Sequence, residues 1–146
     1  MSSSELQLYE NMSRLNQMIY LANAQNATWR AETLFPTSLY NGIRDAFRHA
    51  FGNAKCTIDM GTSLTESLTS AHEERADSYT YSYKEKEMDL FNNGIGRAWA
   101  DFESYGFNSL EECILYAINS GVLKYLNNLD NNGQATATSQ LIPTNQ

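Results

Sequence analysis

The sequence predicts an all-α fold of about five helices, with room for a small β-hairpin near the C-terminus. Three observations carry that prediction. Apolar residues recur at three- and four-residue steps over long segments, which is the period of a helix face. Three S-x-x-[E/Q] capping boxes, Ser4/Gln7, Ser63/Glu66 and Ser109/Glu112, stand where such segments begin. Strand-like patterns are confined to 77–84 (DSYTYSYK), which reads as an ordered loop, and 122–126 (VLKYL), which reads as a short strand or helical turn.

The first helix is expected over about 5–33, bent or straight, with Leu8, Met12, Leu15, Met18, Ile19 and Ala22 as its apolar row. Pro36 closes it. The second runs from about Gly42 to Ile58, and Met60-Gly61-Thr62 is a turn. The third follows Ser63, with Leu64, Leu68 and Ala71 on one side and His72 and Glu73 near its end. The fourth spans about Lys84 to Ser104 and contains Gly94 and Gly96. Each glycine costs a helix about 1 kcal/mol against alanine, so the pair marks close packing or a local break. The fifth runs from Ser109 through Asn119, with Gly121 as its C′ stop. Asn132-Gly133 is a hairpin signal.

The 146 residues suit one helical domain, 1–146, in which 134–146 forms an extended polar tail. A content of 42% hydrophobic and 12% aromatic residues supports a core and argues against disorder. A net charge of −7 argues against broad binding to a nucleic-acid backbone, so no nucleic-acid partner is expected. Cys56 and Cys113 read as buried free thiols rather than a disulfide. No stretch reaches the roughly 18 apolar residues of a membrane helix. The N-terminus MSSSELQLYE lacks a basic n-region and an apolar h-region. The expectation is secretion or delivery without a cleaved signal, and otherwise a cytoplasmic location.

Two helices carry similar polar stripes among apolar neighbours. In NGIRDAFRHAF (41–51), Asp45, Arg48 and His49 stand at i, i+3 and i+4. In the fourth helix Asp89, Asn92 and Asn93 repeat that spacing, and Arg97 extends the row. His72 and Glu73 lie between them, so both histidines of the chain belong to the set. A single stripe reads most simply as a solvated helix face. All three together read as the walls of one polar site, because buried ionisable groups are costly unless paired.

The set supports hydrolytic chemistry. His49, His72, Glu73 and Asp89 are the candidate catalytic residues, as general acid/base groups or as ligands of a divalent cation such as Zn²⁺, Mn²⁺ or Fe²⁺. Arg48, Arg97, Asn92 and Asn93 suit substrate binding, the arginines through their planar forks and the asparagines toward developing negative charge. Asp45 and Asn53 are candidate orienting residues, Asp45 toward His49. H-E-x-x-H, paired C-x-x-C and G-x-S-x-G are all absent, so metal and cofactor stay open on spacing alone.

The blocks LYNGIRDAFRHAFGNAKCT, TSAHEERA, EMDLFNNGIGRA, ILYAINSGVLKYL and LIPTN occur in that order. Together they resemble an uncharacterised bacterial domain family patterned DAFRHAxWNAL…AHE…MDLxNNxxGR…A…GxL…LxPT, over about residues 20–145. The family recurs at the C-terminal ends of wall-associated and Rhs-type proteins, and as stand-alone bacterial and phage-linked proteins. The matching positions are Asp45, Arg48, His49, Asn53, His72, Glu73, Asp89, Asn92, Asn93, Gly96 and Arg97. Gly52 stands where the family often has an aromatic residue, and Phe91 where it often has histidine. The resemblance implies a toxin or effector module.

The leading expectation is therefore a bacterial toxin or effector domain with a hydrolase-like site for a phosphoester or cell-envelope substrate. A cognate immunity protein would be its partner. The alternative is a small acidic binding module without catalysis, of immunity type or from a phage or envelope structure. That alternative predicts an acidic exposed face built from Glu5, Glu10, Glu74, Asp77, Glu85 and Glu87.

Overall fold

A computed structural model describes residues 1–146. Six helices run in order: α1 (Ser3–Glu10), α2 (Arg14–Leu34), α3 (Ile43–Met60), α4 (Thr62–His72), α5 (Ser82–Ala98) and α6 (Leu110–Asn119). Two short strands, β1 (Lys124–Leu126) and β2 (Leu141–Pro143), pair antiparallel, with Tyr125 opposite Ile142. The fold is mostly α, as predicted. No helix is long and apolar enough to cross a membrane.

The expected first helix is two helices. Ser2, not Ser4, caps α1, and it forms the reciprocal box with Glu5. The chain leaves the helix at Asn11, and Ser13 then caps α2 by accepting from the Asn16 N–H. A serine hydroxyl just ahead of a helix satisfies an otherwise orphaned N–H, which stabilises the break at 11–13. The break also re-aims the helix. Tyr20, Asn23, Ala27 and Ala31 face inward, at steps of three and four, while Leu15 and Met18 of the expected row are exposed.

α3 is the central element and packs against α2, α4, α5, α6 and β1. Ala46, Ala50 and Ala54 recur at i+4 and are fully buried, so they form a flat strip onto which neighbouring helices close. Phe47 and Phe51 stack at 5.1 Å beside that strip and fill the space toward α2 and α6. Burying a side chain such as Phe47 contributes about 1.5–3 kcal/mol. α5 approaches most closely. A Cβ on Gly96 would lie 2.1 Å from the Ala50 carbonyl oxygen, so only glycine permits this crossing.

Other boundaries differ locally. α4 starts one residue before Ser63, directly after Gly61, so the Ser63/Glu66 box does not form. α5 begins at Ser82 and ends at Ala98 rather than near Ser104, and two-residue and three-residue turns carry the chain to α6. Ser109 caps α6 as expected, and Gly121 after it has φ +75°. Both cysteines are free and buried. Asn132-Gly133 belongs to a tight turn within the long connection between β1 and β2: the Gly133 N–H donates to the Asp130 carbonyl at 3.0 Å and the Asp130 N–H to the Gln134 carbonyl at 2.9 Å. The polar segment 134–146 returns to the helices: it contributes β2 and the buried residues Ala135, Ser139 and Thr144. Lys84 holds it by donating to the carbonyls of Thr136, Ala137 and Ser139.

Candidate functional site

The crossing of α3 over α5 at Ala50 and Gly96 sets the site. It places the i, i+4 row of Asp45, His49 and Asn53 against Asp89 and Asn93 of α5. Glu73, the C-cap of α4, enters from the side. All three stripes therefore meet, and His49, Glu73 and Asp89 form the centre. One ligand atom from each lies within 4.8 Å of the others, and all three residues are buried.

His49 is held from both ring nitrogens. Its Nδ1 is 3.0 Å from Asn93 Oδ1 and 3.9 Å from Glu73 Oε1. Its Nε2 is 3.1 Å from Asp89 Oδ1 and 3.1 Å from Arg48 Nη2. An amide oxygen can only accept, so Nδ1 carries the proton and Nε2 offers its lone pair. Burial, reinforced by the Arg48 charge, lowers the His49 pKa well below the usual imidazole value and keeps the ring neutral.

The two carboxyls answer in the opposite direction. Burial raises Glu73, and burial together with the Glu73 charge raises Asp89 well above the usual carboxylate value. Glu73 is 1% exposed, and neither of its oxygens receives a hydrogen bond; nor does Asp89 Oδ1. A buried carboxylate without donors is costly. Two arrangements relieve it: the carboxyls share a proton, or a cation sits among them. The donor set of one neutral imidazole nitrogen and two carboxylate oxygens suits Zn²⁺, Mn²⁺ or Fe²⁺. The Nδ1–H to Asn93 contact fixes the His49 tautomer, as an outer bond would for a histidine that holds a metal.

The remaining expected residues take distinct places. Asn53 positions Asn93 by donating to its Oδ1 at 2.8 Å, and its own Oδ1 accepts from Thr69 at 2.8 Å and Arg97 at 3.1 Å. Arg97 is thus part of the supporting network. Asp45 does not orient His49. It accepts from the Asn41 N–H at 2.6 Å and pairs with Arg48 at 3.3 Å, because the turn at Asn41 needs a partner for its buried N–H. Asn92 does not face the site. Its amide donates to the Lys124 carbonyl at 2.8 Å and accepts the Lys124 N–H at 3.0 Å, so it joins α5 to β1. Asn92→Ala is expected to destabilise by about 1–3 kcal/mol, seen as a lower denaturation midpoint.

His72 lies outside the triad. Its Nδ1 is 2.9 Å from Glu5 Oε2, while Tyr20 donates to Glu5 Oε1 at 2.6 Å. Burial pushes the Glu5 carboxyl up, but the bonds from Tyr20 and His72 outweigh it and the net shift is downward. This second cluster shares a pocket of about 260 Å³ with His49 and Glu73 of the triad; Arg48, Asn53, Leu21, Ala24 and Ala27 also line it. Glu5 and Glu85 are buried, at 2% and 5% exposure, so the acidic face expected of a binding module loses two members.

Sequence reasoning missed Arg75. Its Nη2 lies 3.8 Å from Glu73 Oε2 and 3.7 Å from Asp89 Oδ2. The E-x-R spacing of Glu73 and Arg75 within AHEERA was the available signal. Glu5 and Tyr20 were missed as well, since nothing local links α1 and α2 to the end of α4.

A family model described as "Domain of unknown function (DUF6973)" matches residues 11–122. That span holds every residue of the triad and its supporting network. No solved structure matches the chain.

Proposed function

The chain belongs to the DUF6973 family, and from its buried centre we propose a hydrolase-type effector domain that uses a divalent cation held by His49, Glu73 and Asp89. The observation that carries this reading is the Glu73 carboxylate, 1% exposed with both oxygens unpartnered, facing Asp89 and a neutral imidazole. Structural polar networks satisfy their members, and the neighbouring Asn53–Asn93–Arg97 network does. Three carboxylate oxygens of the triad are left open, as a cation site requires, while His49 Nε2 is met by Arg48 Nη2 at 3.1 Å. A bound divalent cation supplies Lewis-acid polarisation and an acidified water.

The chain's own groups complete the site. His49 offers Nε2 while Asn93 holds its Nδ1 proton. Arg48, partly exposed and 3.1 Å from His49 Nε2, presents a guanidinium beside the centre for an anionic group. A phosphoester fits these charges best, and an anionic envelope polymer carries the same chemistry. Deployment as a bacterial toxin or effector, neutralised by a cognate immunity protein, rests on the resemblance of the motif blocks to toxin C-termini.

The test is Mn²⁺ titration of purified protein, beside His49→Ala, with a chromogenic phosphodiester as substrate. We expect one Mn²⁺ per wild-type chain, metal-dependent hydrolysis, and loss of both by at least about 100-fold in the variant. A folded His49→Ala protein that binds Mn²⁺ as tightly as wild type overturns the reading. So does a wild-type chain that binds none.

A further inference from the structure

The pocket of about 260 Å³ that reaches His49 and Glu73 has an apolar lining of its own. Leu21, Ala24 and Ala27 of α2 contribute to it at helical spacing, so they share a face, and Gly52 of α3 adds no side chain. Leu21 is 47% exposed and Ala27 is 2% exposed, so this lining runs from the surface to the interior. It offers a ligand no side-chain hydrogen bond. Thr28, which also lines the pocket, spends its hydroxyl on the Ala24 carbonyl at 3.0 Å. A ligand rich in hydroxyls, such as a sugar ester, would bury them unpaired along α2 at a cost. An apolar group gains from the same contact.

The charges of the pocket point the same way. Two carboxylates line it, Glu5 and Glu73. Both Glu5 oxygens are taken, one by Tyr20 at 2.6 Å and the other by His72 at 2.9 Å. Glu73 is 1% exposed, with neither oxygen hydrogen-bonded, and it belongs to the cation site proposed above. Once that cation is held, neither carboxylate is left unpaired to repel an anionic head. The space suits one small group: a cavity of roughly 150 Å³ holds a benzene ring, so 260 Å³ takes one six-membered ring together with a phosphoryl group.

We propose that this pocket receives the apolar ester group, one ring or a short alkyl chain, of a phosphoester whose phosphoryl group meets the cation, and that Leu21 and Ala24 select for that group. This inference rests on the proposed cation site and adds the class of substrate. Selection here is a matter of burying carbon against carbon beside the reacting group, so it acts on affinity for the ester group and leaves the cation's ligands untouched.

The experiment is calorimetric titration of the full chain, first with Mn²⁺ and then, in the Mn²⁺-loaded form, with methylphosphonate or cyclohexylphosphonate. The two probes share an anionic head and have no ester bond to hydrolyse, so the readout is affinity alone. Wild type is expected to bind cyclohexylphosphonate about tenfold more tightly than methylphosphonate. Leu21 and Ala24 are both exposed, so substitutions there leave the fold intact. Leu21→Ala removes apolar contact and is expected to reduce the preference about threefold. Ala24→Leu places a larger side chain in the pocket and is expected to abolish the preference. Equal affinity of wild type for the two probes overturns the inference while the cation site stands. So does a preference that neither variant changes, and so does a Mn²⁺-loaded chain that binds neither probe. A wild-type chain that binds no Mn²⁺ overturns both the inference and the cation site.

Discussion

At neutral pH, chelator-treated Glu73→Gln protein will resist denaturant better than wild type, and it will have lost divalent-cation binding. In the folded chain the Glu73 carboxyl is buried and receives no hydrogen bond. Glutamine keeps the shape, drops the charge and brings N–H donors that Asp89 can accept. It also removes the second cause, after burial, of the raised Asp89 pKa. The expected gain is about 1–3 kcal/mol. This is the exchange of stability for function that the proposed cation site would impose.

The pH dependence has a definite sign. The folded-state pKa of Glu73 is raised above its ordinary value of 4.5. Its proton is held more tightly in the folded chain than in the unfolded one. The group therefore contributes stability that is fully present below about pH 4.5 and is lost as pH rises through the raised value. Glutamine undergoes no such loss. The stability difference between variant and wild type will be small near pH 4 and will widen as pH rises. His49 acts in the opposite sense: its lowered pKa contributes stability above its ordinary 6.5 that is lost as pH falls through the folded-state value. It is present in both proteins and largely cancels from the difference. Urea midpoints from pH 4 to 8 read the gap directly. A wild type at least as stable as Glu73→Gln at pH 7, or a gap that closes with rising pH, contradicts this account. Added Mn²⁺ should raise the wild-type midpoint and leave the variant unmoved.

Gly96→Ala will be the most damaging single methyl in the chain. An added Cβ would meet the Ala50 backbone, at 2.1 Å from its oxygen and 2.8 Å from its carbonyl carbon. Backbone cannot rotate away as a side-chain tip can, so α5 must move off α3. Alanine's better helix propensity returns about 1 kcal/mol, and the overpacking costs more, for a net loss of about 3 kcal/mol. The same displacement carries Asp89 and Asn93 away from His49, so Mn²⁺ affinity should fall at least tenfold in whatever fraction stays folded. Gly94→Ala is the control. Its nearest neighbour would be Arg97 Nη2 at 3.7 Å, an ordinary contact. That variant should be neutral or stabilised by up to about 1 kcal/mol. Thermal melts of the two side by side decide it: equal melting temperatures would mean that the α3–α5 approach is not what Gly96 is for.

The helical class and most of the helices were legible because they depend on neighbours in the chain. Ser109 capping Glu112, and Gly121 closing α6, are contacts within a few residues. The boundary failures have local causes too. The break at 11–13 lies inside an unbroken apolar rhythm, which masks the Ser13 cap. The Ser63/Glu66 pattern was real as a pattern, but Gly61 already turns the chain into α4. For the site, the i, i+3, i+4 spacing chose His49 and Asp89 with most of their supports, and the His72-Glu73 pair between the stripes supplied Glu73. It could not tell that Asn92 turns to β1 and Asp45 to the Asn41 turn. Residues at i+3 and i+4 share a face only broadly, and the packing of α3 on α5 decides which members of that face meet.

By itself, then, the sequence determined a mostly helical chain, two free buried thiols, and two polar helix stripes with a His-Glu pair between them. All of these follow from spacing and composition over short distances. Only the tertiary structure decided that His49, Glu73 and Asp89 form the centre, that His72 pairs instead with Glu5, and that Arg75 faces both carboxylates. For the α3–α5 part of the site the physical reason is one contact: Gly96 against Ala50 lets two helix backbones approach closely enough for His49 and Asn93, 44 residues apart, to touch. Burial does the rest, since it lowers the affinity of His49 for its proton and raises that of Glu73 and Asp89.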